Sequence, residues 1–219
     1  MNSPKVRLIT TEDGSSSLFH EALNETYHST KGAYSESMYV FIQNGLAYLK
    51  ITPLSVLEVG FGTGLNAFLT LKYAQDEGVT VNYQTLEPYP ISKEIYGSLS
   101  YKMTEAENKI FKELHTDSWE EKHDYEFFSF TKNKIRLEDF NTVNNFDIIY
   151  YDAFAPSKQP DVWDIDNLKK CYSLLKTEGI LVTYCSQGQF KRNLAEVGFQ
   201  VEVLPGALGK KEMVRAHKL

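Results

Sequence analysis

Apolar and polar positions along the chain alternate in two periods, short β-branched runs with a period of two and longer stripes of helical period. Residues 5–10 suit a short strand, followed by a turn at Glu12-Asp13-Gly14 and a serine cluster. Leu18, Phe19, Leu23 and Tyr27 have roughly helical spacing before Gly32. Met38, Phe41, Ile42, Gly45, Leu46 and Leu49 make a 3.6-residue stripe, which predicts a helix over 36–50 that Thr52-Pro53 stops. A strand begins at Ser55 and runs into Gly60, and Leu65 to Leu71 reads as the helix that follows. Val81–Glu87 is the second strand. Residues 91–122 read as helical and amphipathic, with an acidic, solvated face from 105 to 126. Tyr125–Thr131 alternates as a strand, Lys132-Asn133-Lys134 signals a turn, and Ile135–Phe140 suggests a hairpin-like insertion around strand three. Phe146–Tyr151 is nearly continuously apolar, as in a central strand covered on both faces.

After Asp152 a helix is expected near Val162-Trp163-Asp164, a fifth strand over 179–184, and a helix over 186–197 closed by Gly198. A sixth strand over 199–204 and a last one over 212–216, divided by Pro205-Gly206, complete the pattern. Strand and helix in alternation predict a doubly wound α/β sheet. The closing hairpin predicts seven strands with the last antiparallel. No Pro/Gly/Ser-rich linker or repeat interrupts the chain. Residues 1–52 therefore read as a leader packed on the sheet, and 53–219 as one compact unit.

Composition narrows the class only a little. The 219 residues include 14 tyrosines, and the net charge of −6 rules out a globally basic nucleic-acid binder. Cys171 and Cys185 are too few for a disulfide framework and lack metal-ligand spacing, so reduced, buried thiols are expected. Neither a signal peptide nor a run of membrane-spanning length is visible, and the chain reads as soluble and cytoplasmic. From Gln187 onward, however, Lys191, Arg192, Lys210, Lys211, Arg215 and Lys218 outnumber Glu196, Glu202 and Glu212, a local excess of +3.

Chemistry concentrates at two strand ends. Glu58-Val59-Gly60-Phe61-Gly62-Thr63-Gly64-Leu65-Asn66 is a strand, a tight turn and a helix start. Its glycines permit sharp turning and close approach of a ligand to backbone, and the helix start offers unpaired N–H groups. The spacing is G-x-G-x-G, not the dinucleotide G-x-G-x-x-G. A merely structural turn is the plain alternative. Glu87 ends the second strand, where a carboxylate accepts hydrogen bonds from ribose hydroxyls in nucleoside-binding sheets; a solvated strand-end acid is the alternative. Asp152-Ala153-Phe154-Ala155-Pro156 ends the fourth strand, at the edge where open α/β sheets bind ligands, unless Asp152 is a turn or capping acid.

The turn resembles motif I of the class I S-adenosylmethionine (SAM) methyltransferases, and the chain as a whole resembles the methyltransferase half of the MnmC family and its stand-alone relatives. Asp152-Ala153-Phe154-Ala155-Pro156, continuing through Lys158, Pro160 and Trp163, carries the specific part, and Thr183-Tyr184, Lys191–Leu194 and Lys210–Met213 agree. So do Tyr27-His28-Ser29, Gly32, Glu36 and Val40-Phe41 upstream. The resemblance implies the class I methyltransferase sheet and SAM as methyl donor. Glu58, Gly60, Phe61, Gly62, Gly64 and Asn66 would border its methionine end, Glu87 its ribose, and Asp139 its adenine, with Glu138 the adjacent candidate. It implies transfer to the 5-aminomethyl group of (2-thio)uridine at the tRNA wobble position, with no metal. Asp152 would orient the amine, helped by carbonyls of the Ala153–Pro156 loop, while Phe154 walls the methyl site. Lys191, Arg192, Lys210 and Lys211 would face the tRNA anticodon loop. No flavin-binding half is expected with this domain, so a separate enzyme would have to expose the amine. Two other readings remain: a methyltransferase of a small-molecule amine, and a non-catalytic binding subunit of the same fold.

Overall fold

The computed structural model describes residues 5–219. Strands β1 (Val6–Thr10), β2 (Ser16–His20) and β3 (Glu25–Thr26) form a small antiparallel sheet, in which Leu8 pairs with Leu18 and Phe19 with Thr26. Where helical spacing is expected from Leu18 to Tyr27, the chain is extended. The reason lies in the turn before it. Asp13 accepts hydrogen bonds from Thr11 Oγ1 (2.7 Å), the Ser15 amide (3.0 Å) and the Ser35 amide (3.1 Å), which fixes a hairpin and ties it to the next helix. Burial works against ionisation there, but the bonds from Ser15, Thr11 and Ser35 outweigh it and hold the Asp13 carboxyl below the usual range.

Helix α1 (Ala33–Ser37) continues through a π-helical stretch, Met38–Leu46, into α2 (Ala47–Leu49). A helix thus forms where one is expected, but it starts at Ala33 and most of it is wound more widely than the 3.6-residue period of the stripe. Gly45 lets it lie on the sheet, since a Cβ there would stand 3.0 Å from Ile148 Cδ1 and 3.2 Å from Val182 Cγ2. Next come β4 (Leu54–Val59), α3 (Leu65–Glu77), β5 (Val81–Leu86), α4 (Lys93–Tyr96) and α5 (Glu105–Thr116). The single helical region expected over 91–122 is thus two helices. Leu99 and Tyr101 are buried in the break, and a capping box restarts the helix, with the Glu107 amide donating to Thr104 Oγ1 and the Thr104 amide to Glu107 Oε2.

The hairpin also falls upstream of its expected place: β6 (Lys122–Tyr125) pairs with β7 (Phe128–Asn133), and the turn is Glu126-Phe127. Lys132 looked like a turn residue but lies inside β7, 1% exposed. Its ammonium donates to the His115 carbonyl (2.7 Å) and sits 4.8 Å from the Trp119 ring centroid. That burial pulls its pKa down to about 8. Residues Ile135–Phe140 are a loop with one 3-10 turn at Leu137–Asp139.

Strands β8 (Phe146–Tyr151) and β9 (Leu175–Thr183) flank helix α6 (Ile165–Leu174), and α7 (Gly188–Val197) precedes β10 (Gln200–Pro205) and β11 (Glu212–His217). The main sheet has eight strands in the order β10-β11-β9-β8-β4-β5-β7-β6. Seven match the expected plan, with β11 antiparallel between β9 and β10, and the eighth is the added edge strand β6. Side chains alternate between two cores, Val56, Ile148 and Tyr150 on one face and Leu57, Ile149 and Tyr151 on the other. Leader residues Leu18, Val40 and Phe41 belong to the first core together with Phe68 and Phe111, while α6 and α7 cover the second. Strand order reverses at β4, which pairs in parallel with β5 on one side and β8 on the other.

Candidate active site

At that reversal the tips of β4 and β8 are locked together. The Gly60 amide donates to the Leu86 carbonyl (3.0 Å), and the Asp152 amide donates to the Val59 carbonyl (3.0 Å). Gly60 has φ +97°, and a Cβ on it would stand 2.6 Å from the Asp152 carbonyl oxygen. Only glycine allows the two strand ends to approach this closely. Below the turn, Thr85 donates to Glu58 Oε2 (2.7 Å), and Asn66 Nδ2 donates to Asp152 Oδ2 (2.8 Å). Burial, with the mutual repulsion of the two carboxylates, pushes Glu58 up to about 8. Burial likewise pushes Asp152 up to about 7, against the stabilising bond from Asn66. Asp152 therefore titrates near neutrality while facing open space.

That space is a cavity of about 710 Å3 outside the carboxyl ends of the strands, bordered by Val59, Gly60, Gly62, Leu86, Glu87 and Asp152. Its volume lies within the range of small-molecule and cofactor sites. Glu87 is aimed by two amides, Gly62 (3.0 Å) and Tyr89 (2.8 Å), which leaves further lone pairs on each oxygen for ligand hydroxyls. Pro88, Tyr89 and Ile135–Glu138 build the wall beside it. Of the two neighbouring acids, Glu138 borders the cavity; Asp139 is exposed and does not.

The remaining motif residues divide. Phe61 turns its ring away from the cavity onto His115 and Phe130 (centroids 5.1 and 5.9 Å apart). Gly64 also faces that packing, where a Cβ would meet His115 Nε2 at 2.9 Å. Glu58 and Asn66 lie beneath the turn and not on the cavity wall. Glu58 Oε1 and Asn66 Oδ1 are buried without a protein partner, and Glu58, pushed up to about 8, holds its proton at neutral pH. This pair suits a bridging water beneath the turn and not contact with a ligand. What does border the cavity, the backbone at Gly60 and Gly62, the carboxylate of Glu87 held by two amides and the apolar wall beyond it, fits SAM. Among the described residues, no group of three or more His, Cys, Asp and Glu is placed to hold a metal ion.

Opposite this wall the leader closes the cavity. Tyr27 and His20 each pack edge-on against Phe154, with centroids 4.8 and 5.6 Å away. His28 and Glu36 join them, with Tyr184 and Lys210 from the C-terminal half. Burial pulls the His28 pKa down to about 4, so the ring facing the cavity is neutral. The carbonyls of the loop after Asp152 are occupied. Ala153 accepts from Tyr184 Oη (2.8 Å), Phe154 from Trp163 Nε1 (2.7 Å) and Ala155 from the Lys158 amide (2.7 Å), so they hold the loop in place. Pro156 follows on this loop and does not border the cavity. Phe154 does.

The basic residues form no uniform patch. Lys191 is ion-paired with Glu212 (2.7 Å), and Lys210 reaches into the cavity to pair with Glu36. Arg192, exposed on α7, bonds Gln189, and Lys211 is exposed on the turn before β11. None of Tyr27, His28, Glu36 or Tyr184 carried an assigned role in the sequence reading, because each reaches the site through chain distant in sequence.

Known proteins share this architecture. A family model described as S-adenosyl-L-methionine-dependent methyltransferase matches residues 103–219, just over half the chain. An uncharacterized protein of Methanocaldococcus jannaschii is 27% identical over 96% of this chain and 59% of its own length. The tRNA 5-methylaminomethyl-2-thiouridine biosynthesis bifunctional protein MnmC of Burkholderia multivorans is 28% identical over 93% of this chain, which spans 33% of that protein. The crystal structure of MNMC2 from Aquifex aeolicus superposes with a TM-score of 0.80 at 22% identity, covering 98% of this chain and 70% of that one. A spermidine synthase from Thermotoga maritima shares the fold at a TM-score of 0.61 and 14% identity, over 100% of this chain and 70% of that one. Sheet order, cavity and matched segment agree: the chain belongs to this family of S-adenosyl-L-methionine-dependent methyltransferases.

Proposed function

We propose that the chain is an N-methyltransferase acting on the 5-aminomethyl group of (2-thio)uridine at the wobble position of tRNA. The observation that carries this reading is the place of Asp152 at the junction of β4 and β8, oriented by Asn66 and bordering the cavity beside an aromatic wall, where burial pushes its carboxyl up to about 7. Its MnmC relatives, named for 5-methylaminomethyl-2-thiouridine biosynthesis, support the choice of acceptor.

SAM supplies, when bound, a methyl group already activated on a sulfonium, so the protein's tasks are alignment, exclusion of water and keeping the amine neutral. Glu87 would hold the ribose hydroxyls, and Leu137, with its neighbours from Ile135 to Glu138, would flank the base. On the acceptor side, Asp152 Oδ would accept a hydrogen bond from the amine N–H and take up the proton released when the ammonium is neutralised. A carboxyl at about 7 can accept that proton and pass it on to solvent at neutral pH. Phe154 and Tyr27 would stack on or wall the uracil, the usual way an unstacked loop base is held. Arg192 and Lys211 remain available for phosphates.

A small-molecule amine is the second reading. The net charge of −6 and the ion pairing of Lys191 and Lys210 favour it. Labelled methyl transfer separates the two. The enzyme, SAM and tRNA bearing 5-aminomethyl uridine should place label in the wobble nucleoside, and tRNA lacking the aminomethyl group should stay unlabelled. Label in free polyamines with none in tRNA would transfer the assignment to the second reading.

A further inference from the structure

The acceptor end of the cavity already holds an ammonium, and it belongs to the chain itself. Lys210 follows the 3-10 turn Ala207–Gly209 between β10 and β11, and its Nζ is ion-paired with Glu36 Oε1. The same Nζ lies 5.0 Å from the centroid of the Tyr184 ring. Both partners border the cavity together with Asp152. A carboxylate beside an aromatic face is a general recognition element for alkylammonium groups.

The two halves of the pair differ in freedom. Glu36 is 8% exposed at its side chain, and its other oxygen accepts the Ser29 amide (2.8 Å), so it is fixed in the wall. Lys210 is 40% exposed at its side chain, and its four-carbon stem can carry the ammonium out to water. With Oε2 committed to Ser29, Oε1 is the oxygen open to a cation. Lys210 and a second ammonium would therefore compete for it. Glu25 and Glu36 outnumber the cation Lys210 at this end even when Asp152 is protonated, so the cavity retains attraction for another positive group.

We propose that Glu36 and Tyr184 form a primary-alkylammonium subsite, in which Lys210 is a stand-in that the ammonium of the acceptor displaces. The inference rests on the reading that an amine is methylated here, and it names the recognition device. A neutral acceptor could not displace a paired ammonium, so the exchange selects charged amines before Asp152 takes the proton.

The test is calorimetric titration of the protein, with S-adenosylhomocysteine present, using n-butylammonium as probe and n-butanol as its neutral counterpart. Lys210→Met removes the competitor and should tighten butylammonium about tenfold. Glu36→Gln keeps an acceptor for the Ser29 amide and should weaken it about tenfold or more, the scale of one charge-assisted hydrogen bond. Butanol should bind none of the proteins measurably. Weaker or unchanged butylammonium binding in Lys210→Met would overturn the proposal, as would equal affinity of the wild type and a folded Glu36→Gln. Lys210→Met alters an exposed turn residue and keeps the proposal falsifiable even should Glu36→Gln fail to fold. Methylation of tRNA is scored separately. Tightened butylammonium with unlabelled tRNA would sink the tRNA reading alone, and labelled tRNA with unchanged butylammonium binding would sink the subsite alone.

Discussion

The two sides of the cavity are built by opposite strategies. The side bearing Glu87 is built mainly from one stretch, β4 through Tyr89, in which a glycine turn and a strand end lie next to each other because a parallel βα unit places them there, and Ile135–Glu138 join it from outside. The side bearing Phe154 is assembled from Tyr27 and Glu36 of the leader, the loop after β8, Tyr184 after β9 and Lys210 before β11. A local motif suits a cofactor of fixed shape. A composite wall can change with the acceptor while the first side stays as it is. Asp152 stands where the two meet.

Substitutions should therefore sort by side. The largest effect is expected at the junction. Asp152→Ala should lower kcat about a hundredfold or more, the range of general acid–base groups, while the Kd for SAM stays within about threefold. A comparable kcat in the variant would remove Asp152 from the chemistry. On the cofactor side, Glu87→Ala should raise the Kd for SAM about tenfold to a hundredfold through loss of charge-assisted bonds, with the KM for acceptor unchanged. A shift in both constants would break the division. On the acceptor side, Tyr27→Ala removes the edge-on contact with Phe154 and should raise the acceptor KM several-fold, about the value of one aromatic pair, with SAM binding retained.

Smaller effects sharpen the picture at its margins. Arg192→Glu with Lys211→Glu should weaken tRNA binding and flatten its dependence on salt. An unchanged slope would place the RNA-facing surface elsewhere. The raised pKa of Asp152 has a sign that can be checked in the free protein. The folded state holds this proton more tightly than the unfolded chain, so the associated stability is present at low pH and is lost as pH rises through about 7. Asp152→Asn cannot ionise and should keep the bond from Asn66. Its Tm should exceed that of the wild type by more at pH 8 than at pH 5, by scanning calorimetry.

The same contrast explains what the sequence revealed. Strands with a continuous apolar run, such as Phe146–Tyr151, and the glycine turn before α3 are written locally and were legible. The helical spacing of Leu18, Phe19, Leu23 and Tyr27 misled because Asp13 fixes a hairpin through bonds to Thr11, Ser15 and Ser35 that no periodicity records. Thr104 and Glu107, by contrast, are a capping box visible in the sequence, and they could have located the start of α5. Lys132 passed for a turn residue because its burial depends on the His115 carbonyl and the Trp119 ring, both supplied by neighbouring segments. Phe61 and Gly64 belong to the motif yet face His115, which α5 brings from elsewhere in the chain and no local spacing records. Lys210 read as a phosphate ligand because its partner Glu36 is 174 residues away.

The account depends on the tips of β4 and β8 presenting a methyl donor to an amine. A co-crystal structure with a SAM analogue bearing an amine in place of the methylsulfonium tests this most directly. The account predicts the analogue's ribose hydroxyls on Glu87 and its amine facing Asp152. Density for the analogue elsewhere, for example in the smaller cleft between Asp13 and Lys72, would contradict it.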